Sequence, residues 1–189
     1  DVDQKHLAKK LEDVVVSCVN FVGVDVNTAS SSLLTYVSGL NKRLADNIVK
    51  YRETNGKFSK REELMEVTGL GAKAFEQCAG FLKIRDGENV FDNTFIHPES
   101  YIITENLLKI VNIPKEKVSE SGGLVEFFVN RKGIDKIAKE LNVGAPTLTD
   151  IIANLKKPGR DPREEMPIPI LRSDVLKMED LKEGMRLKG

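Results

Sequence analysis

The stretch Val67-Thr68-Gly69-Leu70-Gly71-Ala72-Lys73-Ala74-Phe75-Glu76-Gln77-Cys78 reads as a short glycine hairpin that opens directly into a helix. Glycine tolerates positive φ and lets another backbone come close. Leu70, between Gly69 and Gly71, is placed to pin the turn to a core. The amides of Gly71, Ala72 and Lys73 are then first-turn donors with no partner inside the helix. Such a turn is a ready anion site, and phosphate is the commonest anion to fill it. Alone the motif is weak, because a helix C-cap gives the same letters.

The pattern occurs a second time, thirty residues earlier. Val37-Ser38-Gly39-Leu40-Asn41-Lys42-Arg43-Leu44-Ala45-Asp46-Asn47-Ile48 aligns with it without gaps. Asn41 stands where the second glycine is expected, and Asn is the next most tolerant residue for left-handed geometry. Two such elements in register, each followed by basic residues, mark two copies of one supersecondary unit. They are expected to be tandem helix-hairpin-helix units.

Composition agrees. The 189 residues suffice for one or two domains. Aromatics are few and Trp is absent, which fits a small-residue helical protein better than a β-sandwich. The net charge of zero hides an asymmetry: residues 39–85 carry ten Lys/Arg against six Asp/Glu, and residues 86–155 carry seven against eleven. The basic part coincides with the hairpins, where a polyanion would sit. By itself it is ordinary surface scatter. Cys18 and Cys78 lack metal-like spacing and are expected to be small core residues in a reducing compartment. His6 and His97 are isolated, so neither a metal site nor a cofactor is expected. No run approaches the ~18 apolar residues of a membrane span and no signal peptide is visible, which predicts a cytoplasmic protein. The chain does not begin with Met and stops inside what reads as a new element at 181–189, as a piece of a longer protein would.

Leu7, Leu11, Val14, Val15, Cys18, Val19 and Val22 form one apolar stripe, predicting a helix over 3–22 that Gly23 ends. Asn27 or Thr28 is the expected cap of a helix over about 29–36. Asp25 and Asn27 lack the full spacing of a calcium loop. A helix over about 41–54 turns Leu44, Ile48 and Tyr51 inward and Lys42, Arg43, Lys50 and Arg52 outward. Ser59 and Glu62 read as a capping box for a helix buried through Leu64, Met65 and Val67. The last helix of the pair is expected over about 71–82, and 86–93 reads as an acidic linker. Pro98 opens a helix with Tyr101, Ile102, Leu107, Leu108 and Val111 on its apolar face. Leu124, Val125, Phe127, Phe128 and Val129 pack another, and 134–141 a third. Asn142-Val143-Gly144-Ala145-Pro146-Thr147 resembles a degraded third hairpin with no basic residue in its first turn, and is read as structural. Lys156, Lys157, Arg160 and Arg163 cluster where they either touch a phosphate backbone or pair with Asp161 and Glu164. Pro162, Pro167 and Pro169 impose an extended path. The expected fold class is all-α: a long helix plus a tandem helix-hairpin-helix domain over 1–85, a second small helical, helix-hairpin-helix-like domain over 86–157, and an extended proline-containing linker over 158–189.

The hairpins joined by Tyr51-Arg52-Glu53-Thr54-Asn55-Gly56-Lys57-Phe58 resemble the tandem helix-hairpin-helix domain of DNA-uptake proteins. More closely, three segments resemble the bacterial transcription accessory protein family Tex. They are Val19-Asn20-Phe21-Val22-Gly23-Val24-Asp25-Val26-Asn27-Thr28-Ala29-Ser30, Phe75-Glu76-Gln77-Cys78-Ala79-Gly80-Phe81-Leu82-Lys83-Ile84, and Lys157-Pro158-Gly159-Arg160-Asp161-Pro162-Arg163. The resemblance covers nearly the whole chain. It implies a preceding ribonuclease-H-like domain and a following oligonucleotide-binding barrel, with residues 181–189 resembling the lead-in to the barrel's first strand and the barrel itself lying beyond these 189 residues. It also implies nucleic-acid binding in transcription: RNA and/or DNA held through phosphate contacts, transcription machinery as a further partner, no membrane, and a monomer. The binding residues it points to are Gly39, Leu40, Asn41, Lys42 and Arg43, and Gly69, Leu70, Gly71, Ala72 and Lys73. Asn41 departs from the hairpin pattern, so the amides of hairpin one are expected to be less open than those of hairpin two.

Three functions follow from these residues. The leading one is a non-catalytic, sequence-independent nucleic-acid-binding module, because backbone contacts position a strand but do not read it. The second is a protein-interaction scaffold that docks a transcription or RNA-processing partner. The third is an enzyme of the repair-glycosylase kind, which uses a Lys or Asp beside the hairpin. Asp46 and Lys50 lie there, but at four residues apart on a helix they read as a surface pair. No nucleophile–base set or metal-ligand cluster accompanies them, so no catalytic residue is expected.

Overall fold

The computed structural model describes residues 4–157. The basic cluster from Arg160 onward, the three later prolines and the 158–189 segment lie outside the described residues. The first half comprises helix α1 (Gln4–Val22), strand β1 (Val24–Asp25), α2 (Ser31–Leu34), α3 (Lys42–Asn55), a 3₁₀ turn (Arg61–Glu66), α4 (Ala72–Cys78) and strand β2 (Leu82–Lys83). The two strands pair in parallel, Val24 opposite Leu82, and so join the entry of the hairpin pair to its exit. The second half holds α5 (Tyr101–Val111), α6 (Gly122–Lys132), α7 (Ile134–Glu140) and α8 (Ala145–Lys156), with three further 3₁₀ turns. The fold is all-α apart from the two-residue strands.

Each half has its own apolar core. The first gathers Val26, Leu34, Ile48, Phe58, Leu64, Leu70, Cys78, Leu82 and Ile84. The second gathers Phe91, Ile96, Leu107, Leu108, Val125, Val129, Ile137 and Leu148. Burial of such side chains, about 1.5–3 kcal/mol each, drives both halves.

Local chemistry sets several boundaries differently from the pattern. Ser30, not Asn27 or Thr28, caps α2, its side chain accepting from the Leu33 amide at 3.1 Å. Asn27 is drawn off by a longer-range contact. It accepts from the Phe58 amide at 2.8 Å and donates to the Phe58 carbonyl at 2.9 Å, tying the first loop to the turn between the units. Ser59 bonds Glu63, not Glu62, through both its amide and its hydroxyl. The segment then winds as 3₁₀, with Met65 exposed. α4 stops at Cys78, short of the expected 82, because Leu82 and Lys83 are taken into the strand pair.

The periodic residues of α1 form the helix but not a core. Residues 4–18 are all exposed and only Val19 is buried. Cys18 is therefore exposed, contrary to expectation, whereas Cys78 is buried as expected. Ile102, Leu124 and Phe127 likewise point outward, each more than 60% exposed. Their neighbours Tyr101, Val125 and Val129 fill the core instead.

The 86–93 segment is not a free linker. Its last four residues form a 3₁₀ turn with Phe91 and Asp92 buried. What holds it is Arg61, which is fully buried. Its guanidinium donates to the carbonyls of Leu82 (2.8 Å), Ile96 (2.7 Å), Phe91 (3.4 Å) and Thr94, and to the Tyr101 hydroxyl (2.9 Å). Asp92 accepts from the Arg61 amide at 3.2 Å and from the Tyr101 hydroxyl at 2.5 Å. Burial above all pushes the Tyr101 hydroxyl's pKa upward, which keeps it a donor. A buried charge is tolerable only when so fully bonded. Leu82 belongs to the first core and Phe91, Ile96 and Tyr101 to the second, so one side chain joins the halves.

Candidate nucleic-acid interface

The two hairpins share one backbone. In each, the leucine amide donates back three residues at 3.0 Å, Leu40 to Val37 and Leu70 to Val67. The glycine between sits at positive φ, +83° at Gly39 and +84° at Gly69, as the third position of a type II turn requires. Leu70 is buried and Leu40 half-buried, so both leucines seat the turn, Leu70 with no face left to solvent.

The hairpins are also seated on each other. Gly69 lies against α3: a Cβ there would sit 3.5 Å from Leu44 Cδ2, and Asn47 Nδ2 donates to the Thr68 carbonyl at 2.7 Å. Gly39 lies against α4, where a Cβ would come 2.6 Å from Gln77 Cβ and 3.2 Å from the Ala74 carbonyl. The thirty-residue offset maps Leu44 onto Ala74 and Asn47 onto Gln77. Equivalent positions therefore hold the opposite turn, as in a pseudo-two-fold pair.

The helix starts differ. Gly71, the N-cap of α4, makes no side-chain cap bond. The Ala72 and Lys73 amides have no acceptor among the described residues. Gly69, Gly71, Ala72 and Lys73 are all exposed, and nothing lies within 4 Å of where a Gly71 Cβ would be. At hairpin one, the Asn41 side chain accepts from the Leu44 amide at 2.9 Å, consuming one donor. The Asn41, Lys42 and Arg43 side chains are exposed there. Lys42 Nζ lies 3.2 Å from Asp46, which also accepts from Ser31 Oγ. The Ser31 hydroxyl first, and Lys42 second, hold the Asp46 carboxyl below its usual pKa. Asp46 thus pairs with Lys42 rather than with the expected Lys50. Both partners are exposed, so the pair exchanges readily.

Two of the ten cations in 39–85 are unavailable to a ligand. Arg61 is spent on carbonyls. Lys83 is buried with Nζ 3.9 Å above the Phe95 ring, and burial lowers its pKa to about 8. Arg52 is half-buried and donates to the Val26 carbonyl at 2.8 Å. Other groups are committed to structure. Asp25 accepts from the Asn27 amide at 2.9 Å and faces Arg85 at 3.7 Å. Burial pushes the Cys78 thiol up to about 12, leaving it inert. Among the described residues no group of three His, Cys, Asp or Glu side chains is placed to hold a metal. No helix of the described residues is long and apolar enough to cross a membrane.

A further pair of turns lies in the second half. Asn112 (φ +60°) and Asn142 (φ +54°) are also thirty residues apart, each followed by an aliphatic residue and a new helix. Here Ile113 donates to Leu108 and Val143 to Ala138, both at 2.9 Å. That is the six-to-one bond of a helix C-terminal motif and not the turn of hairpins one and two. Asn142 had been singled out by its glycine neighbour; the Asn112 turn carries no glycine and gave no such signal.

Two glycine turns of one geometry, each seated on the other's helix, define a tandem helix-hairpin-helix protein. A profile for the helix-hairpin-helix motif matches residues 19–83, and one for an HHH domain matches residues 89–163. The whole chain aligns at 49% identity with Uncharacterized protein YdcI of Bacillus subtilis, covering 26% of it. It aligns at 46% with Protein YhgF of Escherichia coli and at 42% with Transcriptional accessory protein Tex of Neisseria gonorrhoeae, covering 24% of each. Over its whole length the chain is similar to Tex-family proteins, and it spans about a quarter of the length of these relatives.

Proposed function

We propose that this chain is a non-catalytic module that holds the sugar-phosphate backbone of RNA or DNA without reading its sequence, within a cytoplasmic transcription accessory protein. The observation that carries this is the uncapped, exposed helix start at Gly71, Ala72 and Lys73, held in place by the buried Leu70. Backbone amides and a lysine ammonium at one point favour a phosphate oxygen. Hairpin one adds Lys42 and Arg43 beside a partly capped helix start. The matches to helix-hairpin-helix profiles and to a relative named for transcription support the same reading. The two separate cores support treating 1–85 and 86–157 as two domains, the first carrying the phosphate contacts.

The test is a titration of the 189-residue chain with labelled single- and double-stranded DNA and RNA at several salt concentrations. Neutralising about three to five phosphates gives a log–log salt slope of roughly −2 to −4. Lys73→Ala is expected to weaken every sequence alike and to reduce the slope by about one. Binding that does not change with salt would overturn the proposal. A protein-interaction scaffold is the second reading, favoured by the apolar side chains that α1 leaves exposed. It predicts partner capture that survives charge reversal at Lys42, Arg43 and Lys73, with no shift of nucleic acid by the wild type.

A further inference from the structure

Beside hairpin two lies an open cleft of about 240 Å³, lined by Asn47, Lys50, Tyr51, Thr54, Asn55 and Thr68. Thr68 belongs to both the cleft and the turn. The matching place beside hairpin one is closed. There Asn20 of α1 accepts from the Ser38 amide at 3.0 Å and donates to the Tyr36 carbonyl at 3.3 Å. Ser38 is the counterpart of Thr68, so one flank of the pseudo-symmetric pair is filled by the protein and the other is left free.

The chemistry of the free flank is specific. Asn47 Nδ2 is committed to the Thr68 carbonyl and Asn55 Nδ2 to the Tyr51 carbonyl at 3.2 Å, which leaves both side-chain carbonyls as acceptors. Thr54 Oγ1 donates to the Lys50 carbonyl at 2.9 Å and keeps its lone pairs. The Tyr51 ring is fixed by stacking on Phe58, with centroids 4.9 Å apart, and its hydroxyl donates to Glu66 at 2.6 Å. The cleft thus sets several acceptors, with a carboxylate at its edge, beside one cation, the exposed Lys50, and a phosphate, which offers only acceptors, would use Lys50 and leave the rest unmatched. A lining of this mixed kind matches groups that carry both donors and acceptors, as a sugar or a base edge does. The volume lies below the roughly 300–1,000 Å³ of a drug-sized pocket and suits a single sugar or base.

We propose that this cleft is a nucleoside subsite: it takes the sugar or base edge of one unpaired nucleotide in the strand whose phosphate hairpin two holds. The inference rests on the hairpin reading. Nucleotides in a duplex are paired and stacked and cannot enter, so the cleft confers a preference for single strands over duplex.

Thr54 is exposed on α3, and Thr54→Tyr fills the cleft without touching the core. The experiment measures anisotropy of labelled twelve-nucleotide oligo(rU) and oligo(dT) and of a twelve-base-pair duplex, with wild type, Thr54→Tyr and Lys73→Ala. Thr54→Tyr is expected to weaken single-strand binding about tenfold and duplex binding less than twofold, the scale of one lost base or sugar contact. Lys73→Ala is expected to weaken all three. A larger Thr54→Tyr loss on oligo(rU) than on oligo(dT) assigns the cleft to the 2′-hydroxyl, and equal losses assign it to the base. Equal loss on single strand and duplex, or no loss, with Lys73→Ala still weakening all three, overturns the cleft alone. No effect of Lys73→Ala overturns the hairpin reading, and the cleft with it. Asn55→Tyr fills the same space from the helix end and repeats the test if Thr54→Tyr loses helical circular dichroism.

Discussion

Hairpins one and two have glycines with φ within a degree of each other, yet they differ in clearance, in flank and in helix start. Gly39 is wedged against α4, with no room for another atom, and its flank is sealed by Asn20. Its helix begins with a side-chain cap on Leu44. Gly69 has ordinary clearance, its flank is a cleft, and its helix begins with bare amides. The same turn thus serves two purposes. Hairpin one is built into the domain, and hairpin two is offered to solvent. Internal duplication preserves the backbone, while the residues around each copy decide whether it is structure or surface.

The contrast is sharpest in stability. Gly39→Ala meets both a positive φ, costing about 1–2 kcal/mol, and a Cβ clash with Gln77, so a loss of about 2–4 kcal/mol is expected in urea unfolding. Gly69→Ala meets only the backbone cost, about 1–2 kcal/mol. Equal losses would mean the two turns are packed alike. A smaller effect is expected from Asn41→Ala, which removes the cap on Leu44 and costs about 1 kcal/mol by the same measurement. The smallest is Gly71→Asn. It imports hairpin one's cap into hairpin two, where φ −84° and ψ 178° already suit it and a Cβ has space. Stability is expected to rise by a few tenths of a kcal/mol while nucleic-acid affinity falls, as a side chain occupies an amide that a phosphate would use. A simultaneous rise in both would break the comparison.

The turns themselves were legible because glycine, leucine and a fixed offset state a backbone requirement locally. So was the inward Leu70, whereas Asn41, expected to keep the turn by tolerating left-handed geometry, is extended at φ −123° and narrows the helix start as a side-chain cap. What decides the character of each hairpin was not legible. Asn20 reaches Ser38 across eighteen residues, and Asn47 reaches Thr68 across twenty-one. Neither asparagine stands out in a one-dimensional pattern. Periodicity predicted α1 correctly but not its exposure, since a stripe records helical phase and not the presence of a neighbour; hence the misplacement of Cys18. Arg61 was hidden in the same way. It is one cation among ten in the basic segment, and only the carbonyls around it show that it belongs to the interior.

That arginine also makes the first half depend on residues beyond it. It is synthesised thirty or more residues ahead of the carbonyls of Phe91, Thr94 and Ile96 that finally receive it. A chain severed between 85 and 86 would keep both glycine turns but strand a guanidinium that has lost most of its acceptors.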